Sequence, residues 1–185
     1  MTAAPLPPSE QERLAVLREY QILDTPPGRA FDDVVHLGSM ICHVPIALVT
    51  LVDQTRQWCK AQVGLDVSST PREDAFCAHA IFDEGLFTVA DTSTDPRFSS
   101  NSLVTGEPHI KFYAGAPLVT SDGTKLGTLC VIDRAPRVLF PEQTDALKTV
   151  SRMVVEHLEF RRVAATLADV LERSRTLSGL LPVCA

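Results

Sequence analysis

"KFYAGAPLVTSDGTKLGTLCVID", residues 111–133, places two short β-rich runs on either side of a Ser-Asp-Gly-Thr turn. Asp-Gly is the pair that a tight hairpin favours, because the central turn positions need positive φ. The stretch therefore predicts an antiparallel hairpin. Along its first arm Ile110, Phe112 and Ala114 alternate with Lys111, Tyr113 and Gly115, so one face is apolar and the other carries an amine and a phenol. The alternation does not say which face looks onto a pocket. Upstream, "IALVTLVD" from Ile46 is a continuous apolar run suited to a strand covered on both sides. "RQWCKAQVG" then alternates Trp58, Lys60 and Gln62 against Cys59, Ala61 and Val63, which predicts a second hairpin around Asp53 to Arg56. "LFTVAD" adds a further short strand.

Helical periodicity surrounds these strands. Ser9 with Glu12 reads as a capping box ahead of Leu14, Leu17 and Tyr20, and Phe31, Val34, Val35, Gly38 and Ile41 form the stripe of a second helix that ends before Pro45. Thr70, Pro71 and Glu73 read as a second capping box, opening a helix from Pro71 to about Asp83. Asp95 and Pro96 suggest the start of another short helix. From Pro141 a long helix follows, with Phe140 a poor N-cap because it offers no side-chain acceptor. The class is α+β: a central antiparallel sheet of five to six strands, helices packed on it, and a long C-terminal helix.

Composition narrows the function. With 185 residues, 45% of them apolar, the chain can bury a substantial core. A net charge of −6 disfavours a grip on phosphate backbones or anionic lipid, so neither nucleic acid nor membrane is an expected partner. No segment approaches the roughly 18 to 20 apolar residues of a bilayer span. Five cysteines without paired spacing suit reduced thiols and a cytoplasmic location.

The strings "ERLAVLREYQILDTPPGRAFDDVVHL", "FCAHAI", "DTSTDPRF", "GEPHIKFYAGAPL" and "LGTLCVID", in this order, resemble the GAF domains that act as sensors in bacterial signalling proteins. The likeness runs from Glu12 to Arg162. It implies a noncovalent small-ligand pocket between sheet and helices and a signal passed to a histidine kinase or cyclase output domain, with the ligand and any cofactor left unknown. On this division residues 1–11 are a flexible leader, 12–162 the domain, and 163–185 a signalling helix and linker tail. Two other branches of the family set the alternatives: reduction of free methionine sulfoxide, and a bilin or haem photoreceptor or gas sensor. The first needs a nucleophilic cysteine with a resolving thiol, and the sequence shows no local pair. The second is disfavoured because Ala78 separates Cys77 from His79.

No catalytic or metal-ligating set is expected. On a helix, Cys77 and His79 point about 200° apart. Cys77 therefore reads as a small packed residue, with Phe76, Ala80 and Ile81, and His79 as an edge or pocket residue. Asp91, Asp95 and Arg97 form a local ionic cluster, in which Asp91 and Arg97 are expected to tie strand to helix, and Arg97 could instead turn towards an anionic ligand. The ligand-binding candidates are Phe76, His79, Arg97, Phe98, His109, Phe112 and Tyr113, the last three lining the pocket by resemblance. In the tail, Leu147, Val150, Val154 and Leu158 can cover the sheet, while Val163, Leu167, Val170, Leu171 and Leu177 continue the stripe beyond what one core needs. That surplus predicts a parallel helix contact in a homodimer.

Overall fold

The computed structural model describes residues 3–178. Helices α1 (Glu10–Glu19) and α2 (Arg29–Cys42) precede the hairpin β1 (Ile46–Val52) and β2 (Arg56–Val63). A short strand β3 (Ser69–Pro71), helix α3 (Phe76–Ala80), strand β4 (Phe87–Val89) and helix α4 (Ser102–Thr105) lead to the second hairpin, β5 (Phe112–Val119) and β6 (Lys125–Asp133), and helix α5 (Pro141–Ser178) follows. The strands form one six-stranded sheet in the order β3-β2-β1-β6-β5-β4, antiparallel throughout. Among the described residues no helix is long and apolar enough to cross a membrane.

Both hairpins form where turn chemistry places them. Gly123 takes φ +86° in the β5–β6 turn, and Asp53 N–H bonds Arg56 C=O at 2.8 Å in the β1–β2 turn. β1 is buried along its whole length, with Ala47, Val49 and Leu51 packing under α1, α2 and α5 and Ile46, Leu48 and Val52 packing under α3. Gly127 of β6 lets the backbones approach: a Cβ there would meet Thr50 C=O at 1.9 Å.

Three local expectations are overturned. Ser9 does not cap α1; its φ of −98° and ψ of 26° lie outside the extended conformation that aims a capping oxygen at the helix, and its side chain makes no cap bond. The alternation in β2 is broken by a bulge, because Val49 pairs with Ala61 while Thr50 pairs with Cys59. Lys60 is the extra residue. Trp58 and Ala61 consequently share the helix-covered face, and the buried Lys60 ammonium bonds Thr25 Oγ1 at 2.8 Å and lies over the Phe31 ring at 5.2 Å. The helix expected from Pro71 to about Asp83 is instead strand β3, a 3-10 turn at Arg72–Asp74 and the short α3, separated by Ala75 in an extended conformation. Thr70 pairs with Gln57 across the sheet edge, which takes it out of a capping role.

The reason for that break is ionic. Arg72 donates to Glu10 Oε1 at 2.5 Å and to Asp53 C=O at 2.9 Å, while Arg13 grips the same carboxylate through two bonds, at 2.8 and 2.7 Å. The β2–β3 edge is thereby fastened to α1. At the other end, Phe140 lacks an acceptor, yet its N–H bonds Gln143 Oε1 at 3.0 Å, and Pro141 occupies the first helical position of α5 as expected. Leu147, Val150, Val154 and Leu158 cover the sheet.

Burial opposes ionisation of Glu10, but the bonds and charges of Arg13 and Arg72 prevail and hold its carboxyl at about 2, against an ordinary 4.5. Its stabilising contribution is therefore complete above pH 4.5 and is lost as pH falls through about 2. The shift corresponds to about 3 kcal/mol. Urea denaturation between pH 6 and pH 2 should show that acid limb, and Glu10→Gln should flatten it while lowering stability at neutral pH by about 3 kcal/mol.

Candidate functional site

A pocket of about 290 Å³ opens between α3, the exposed edge of β2–β3 and the loops before β5. Its floor is the sheet face carrying Leu48, Tyr113, Cys130 and Ile132, and its walls include Phe76 and Cys77 of α3 with Leu65, Val67, Leu103 and Ile110. Asp66, Glu107 and Arg134 also line it, and Arg134 Nε bonds Pro108 C=O at 3.1 Å. Among the described residues, two polar atoms within this apolar lining have no hydrogen-bond partner: Gln57 Oε1 and Thr70 Oγ1. They belong to directly paired residues of β2 and β3, and Gln57 is 6% exposed. A buried acceptor left unpaired costs on the order of 1–3 kcal/mol, so a donor that reached this pair would be stabilised.

Deeper in the pocket, polar side chains gather on one sulfur. The hydroxyls of Thr50, Thr128 and Tyr113 donate to Cys77 Sγ at 3.1, 3.1 and 3.2 Å, and Cys77 Sγ in turn lies 4.0 Å from Cys130 Sγ, to which it can donate. The register explains the convergence. Thr50 and Thr128 are cross-strand partners, as are Leu48 and Cys130 and, on the other side, Gly115 and Cys130. Gly115 provides room for the phenol, since a Cβ there would meet Tyr113 OH at 2.3 Å. Burial pushes the Cys77 thiol up, but the bonds from Cys130, Thr128, Thr50 and Tyr113 outweigh it and hold Cys77 below its ordinary value. Its neighbours move the opposite way: the bond to Cys77 and burial raise Cys130 well above a normal thiol, and burial with the Cys77 charge does the same to Tyr113.

The candidates from sequence divide. Phe76 and Tyr113 line the pocket and stack with centroids 5.1 Å apart. Phe98 is buried behind Phe76, stacked at 4.2 Å, and supports the wall without forming it. His79 is turned away, its ring edge-on to Phe98 at 4.8 Å, and borders a separate shallow depression with Phe87 and Arg97. Phe112 faces the opposite side of the sheet, under the long helices, because it alternates with Tyr113. His109 is exposed with φ +59°, near Glu107. The expected Asp91–Arg97 tie is not made. Asp91 accepts from Ser93, and Arg97 forms a two-pronged pair with Asp95 at 3.0 and 2.6 Å while lying over the rings of Phe87 and Phe98. Asp95 opens a turn over residues 96–100, and the helix expected to start at Pro96 does not form; the next helix is α4.

Sequence reading missed Gln57, Thr70, Cys130, Thr50 and Thr128 as site residues. Thr50 and Thr128 carried a signal, each being a hydroxyl inside a largely apolar strand, whereas Thr70 carried none. The Cys77–Cys130 proximity had none, because 53 residues separate them.

The Arg97 side chain is 44% exposed, so its pair with Asp95 is screened and its ring contacts are peripheral. Arg97→Ala should lower stability by under about 1 kcal/mol in urea denaturation, well short of the cost of a buried pair.

A family model described as GAF domain matches residues 26–160. The chain is 42% identical over 163 residues to a protein of Pseudomonas aeruginosa named cyclic di-GMP phosphodiesterase, covering 88% of this chain and 28% of that protein's length. In structure it is similar to the GAF domain of a phosphoenolpyruvate-protein phosphotransferase from Coxiella burnetii (TM-score 0.64, 15% identity, 84% of this chain and 98% of that one). The GAF domain of the Acinetobacter phosphoenolpyruvate-protein phosphotransferase gives a TM-score of 0.59 at 17% identity, over 84% of this chain and 98% of that one. With the family model spanning most of its length and the six-stranded sheet and covering helices in agreement, the chain belongs to the GAF domain family.

Proposed function

We propose that this chain is a sensory module of a bacterial signalling system, binding a small ligand noncovalently and relaying the outcome through α5. The observation that carries the reading is the pocket's pair of unpartnered polar atoms, Gln57 Oε1 and Thr70 Oγ1, set in an apolar wall. The ligand this favours has an apolar body and at least one N–H or O–H donor to meet the Gln57 oxygen. The match to part of a cyclic di-GMP phosphodiesterase supports a regulatory segment placed beside an output domain of a longer protein. The module itself is non-catalytic on this reading.

Native mass spectrometry of gently purified chain tests it. The expected spectrum carries an added small-molecule mass that is lost in Gln57→Leu, which fills the same space without the acceptor. A bare chain mass from wild type, under conditions that preserve noncovalent complexes, argues against a ligand-binding role.

The relay rests on the outer half of α5. Phe160, Val163, Leu167, Val170 and Leu171 are each more than half exposed, and Phe160, Val163, Leu167 and Val170 follow the alternating three- and four-residue spacing of a coiled-coil seam. Leu177 falls where the side chains are outside the described residues. A second copy aligned in parallel covers this stripe and would deliver two α5 helices to a paired output. Sedimentation should give a dimer for the full chain and a monomer for a version ending at Arg162; monomers for both at high micromolar concentration would remove the dimeric relay.

A further inference from the structure

The sulfurs in the pocket are an arrangement that noncovalent ligand binding does not use. Cys77 Sγ and Cys130 Sγ lie 4.0 Å apart, and both residues line the pocket. Three hydroxyls, from Thr50, Thr128 and Tyr113, converge on the first sulfur, whereas of these only Thr128 also bears on the second. Hydroxyl donors stabilise a thiolate, which is the nucleophilic form, in the way a backbone cradle stabilises an oxyanion. The asymmetry assigns roles: Cys77 is the attacking thiol and Cys130 the resolving one. The directions of their acidities agree, since Cys77 is held below and Cys130 well above the ordinary value. The other described cysteines lack such surroundings. Burial pushes Cys42 up to about 11, and burial with the Cys77 charge pushes Cys59 up to about 12. Cys42 also packs on the far side of the sheet.

We propose that Cys77 and Cys130 form a reversible dithiol–disulfide site that senses small hydroperoxides entering through the pocket. In the first step the Cys77 thiolate attacks one peroxide oxygen. An S–O bond forms, the O–O bond breaks, and the sulfur gives up two electrons. The leaving oxygen takes up the proton released by the thiol and departs as water or an alcohol. Cys130 then attacks the sulfenic sulfur, so that an S–S bond forms, the S–O bond breaks, and hydroxide leaves as water with the Cys130 proton. Overall, two thiols and one hydroperoxide give a disulfide, one alcohol or water, and one water. A small dithiol restores the pair by exchange.

The closure has a structural consequence. The sulfurs must approach from 4.0 Å to about 2.05 Å. That withdraws Cys77 from its three hydroxyl donors and draws α3 towards β6. Phe76, the residue before it in α3, moves with it, so the state of the thiols reshapes the pocket wall. Oxidation and ligand occupancy are then two inputs to one cavity, and the redox input does not depend on which ligand binds.

The test uses the full chain carrying Cys184→Ser, which leaves four of the five thiols. One equivalent of hydrogen peroxide should remove two thiols from the folded protein, give a single cross-linked peptide pair containing Cys77 and Cys130, and be reversed by dithiothreitol. In Cys130→Ala the reaction should stop at a sulfenic acid on Cys77, trapped as its dimedone adduct. The double substitution Thr50→Val and Thr128→Val preserves side-chain shape and should slow oxidation about tenfold by raising the Cys77 pKa. Circular dichroism confirms that each variant is folded. A Cys77–Cys130 link that forms only after unfolding in urea would overturn the proposal, as would a dimedone adduct on Cys42 or Cys59 in folded Cys130→Ala.

Discussion

The central strands β1 and β6 are buried on both faces, and every other part of the molecule answers to that requirement. A strand with two apolar faces needs two covers. Helices α1, α2 and α5 supply one, a thick layer of leucine, valine and phenylalanine. The other is supplied by α3, α4 and the loops between β3 and β5, which pack less regularly around Phe76, Phe98 and Tyr113. Long helices close their side with continuous ridges. The short α3 and α4, of five and four residues, leave a gap, and that gap is the pocket.

Polarity is distributed unequally between these two faces. The face under the long helices carries Ala47, Val49 and Leu51 of β1 with Leu129 and Val131 of β6. The opposite face of the same strands carries Thr50 and Thr128, fully buried, and Cys130. A buried hydroxyl is tolerated when it has a partner, and here the partners are one another and the Cys77 sulfur. The second core is therefore specified by directional bonds as well as by packing. Gly115 is part of the same specification, since it leaves the space in which the Tyr113 phenol reaches the cluster.

Pocket and long helix are linked through strands they share. In β6, Cys130 and Ile132 line the pocket while Leu129 and Val131 contact the helical layer, one residue apart along the same backbone. In β5 the alternation of Tyr113 and Phe112 does the same. The pocket floor and the surface beneath α5 are thus opposite faces of the same strands. The ends of the helical layer are held by Tyr20, whose hydroxyl bonds Glu159 at 2.6 Å, and by the Glu10–Arg72 pair, which fastens α1 to the segment entering α3. These contacts join the helical layer and the pocket side of the sheet to one frame.

The two hairpins, the doubly covered β1, the second helix and the sheet-facing stripe of α5 were legible along the chain, because each rests on local periodicity or on the φ demands of a turn. The sequence by itself also determined the family, through short strings whose order is a property of the chain. What it misjudged was local in appearance and non-local in cause. The signal for a helix from Pro71 was a sound cap pattern, yet pairing with β2 and the grip of Glu10 on Arg72 claimed those residues first. The even alternation of β2 failed at Lys60 because a bulge adds one residue, and no composition rule marks where the ladder slips. Phe112 and Tyr113 were both offered as pocket residues, and only the placement of the helical layer decided which of the alternating faces was open. The thiol cluster was beyond sequence reasoning altogether, since it unites β1, α3, β5 and β6 at a single sulfur, and the chain brings those elements together only when the two hairpins pair through β1 and β6.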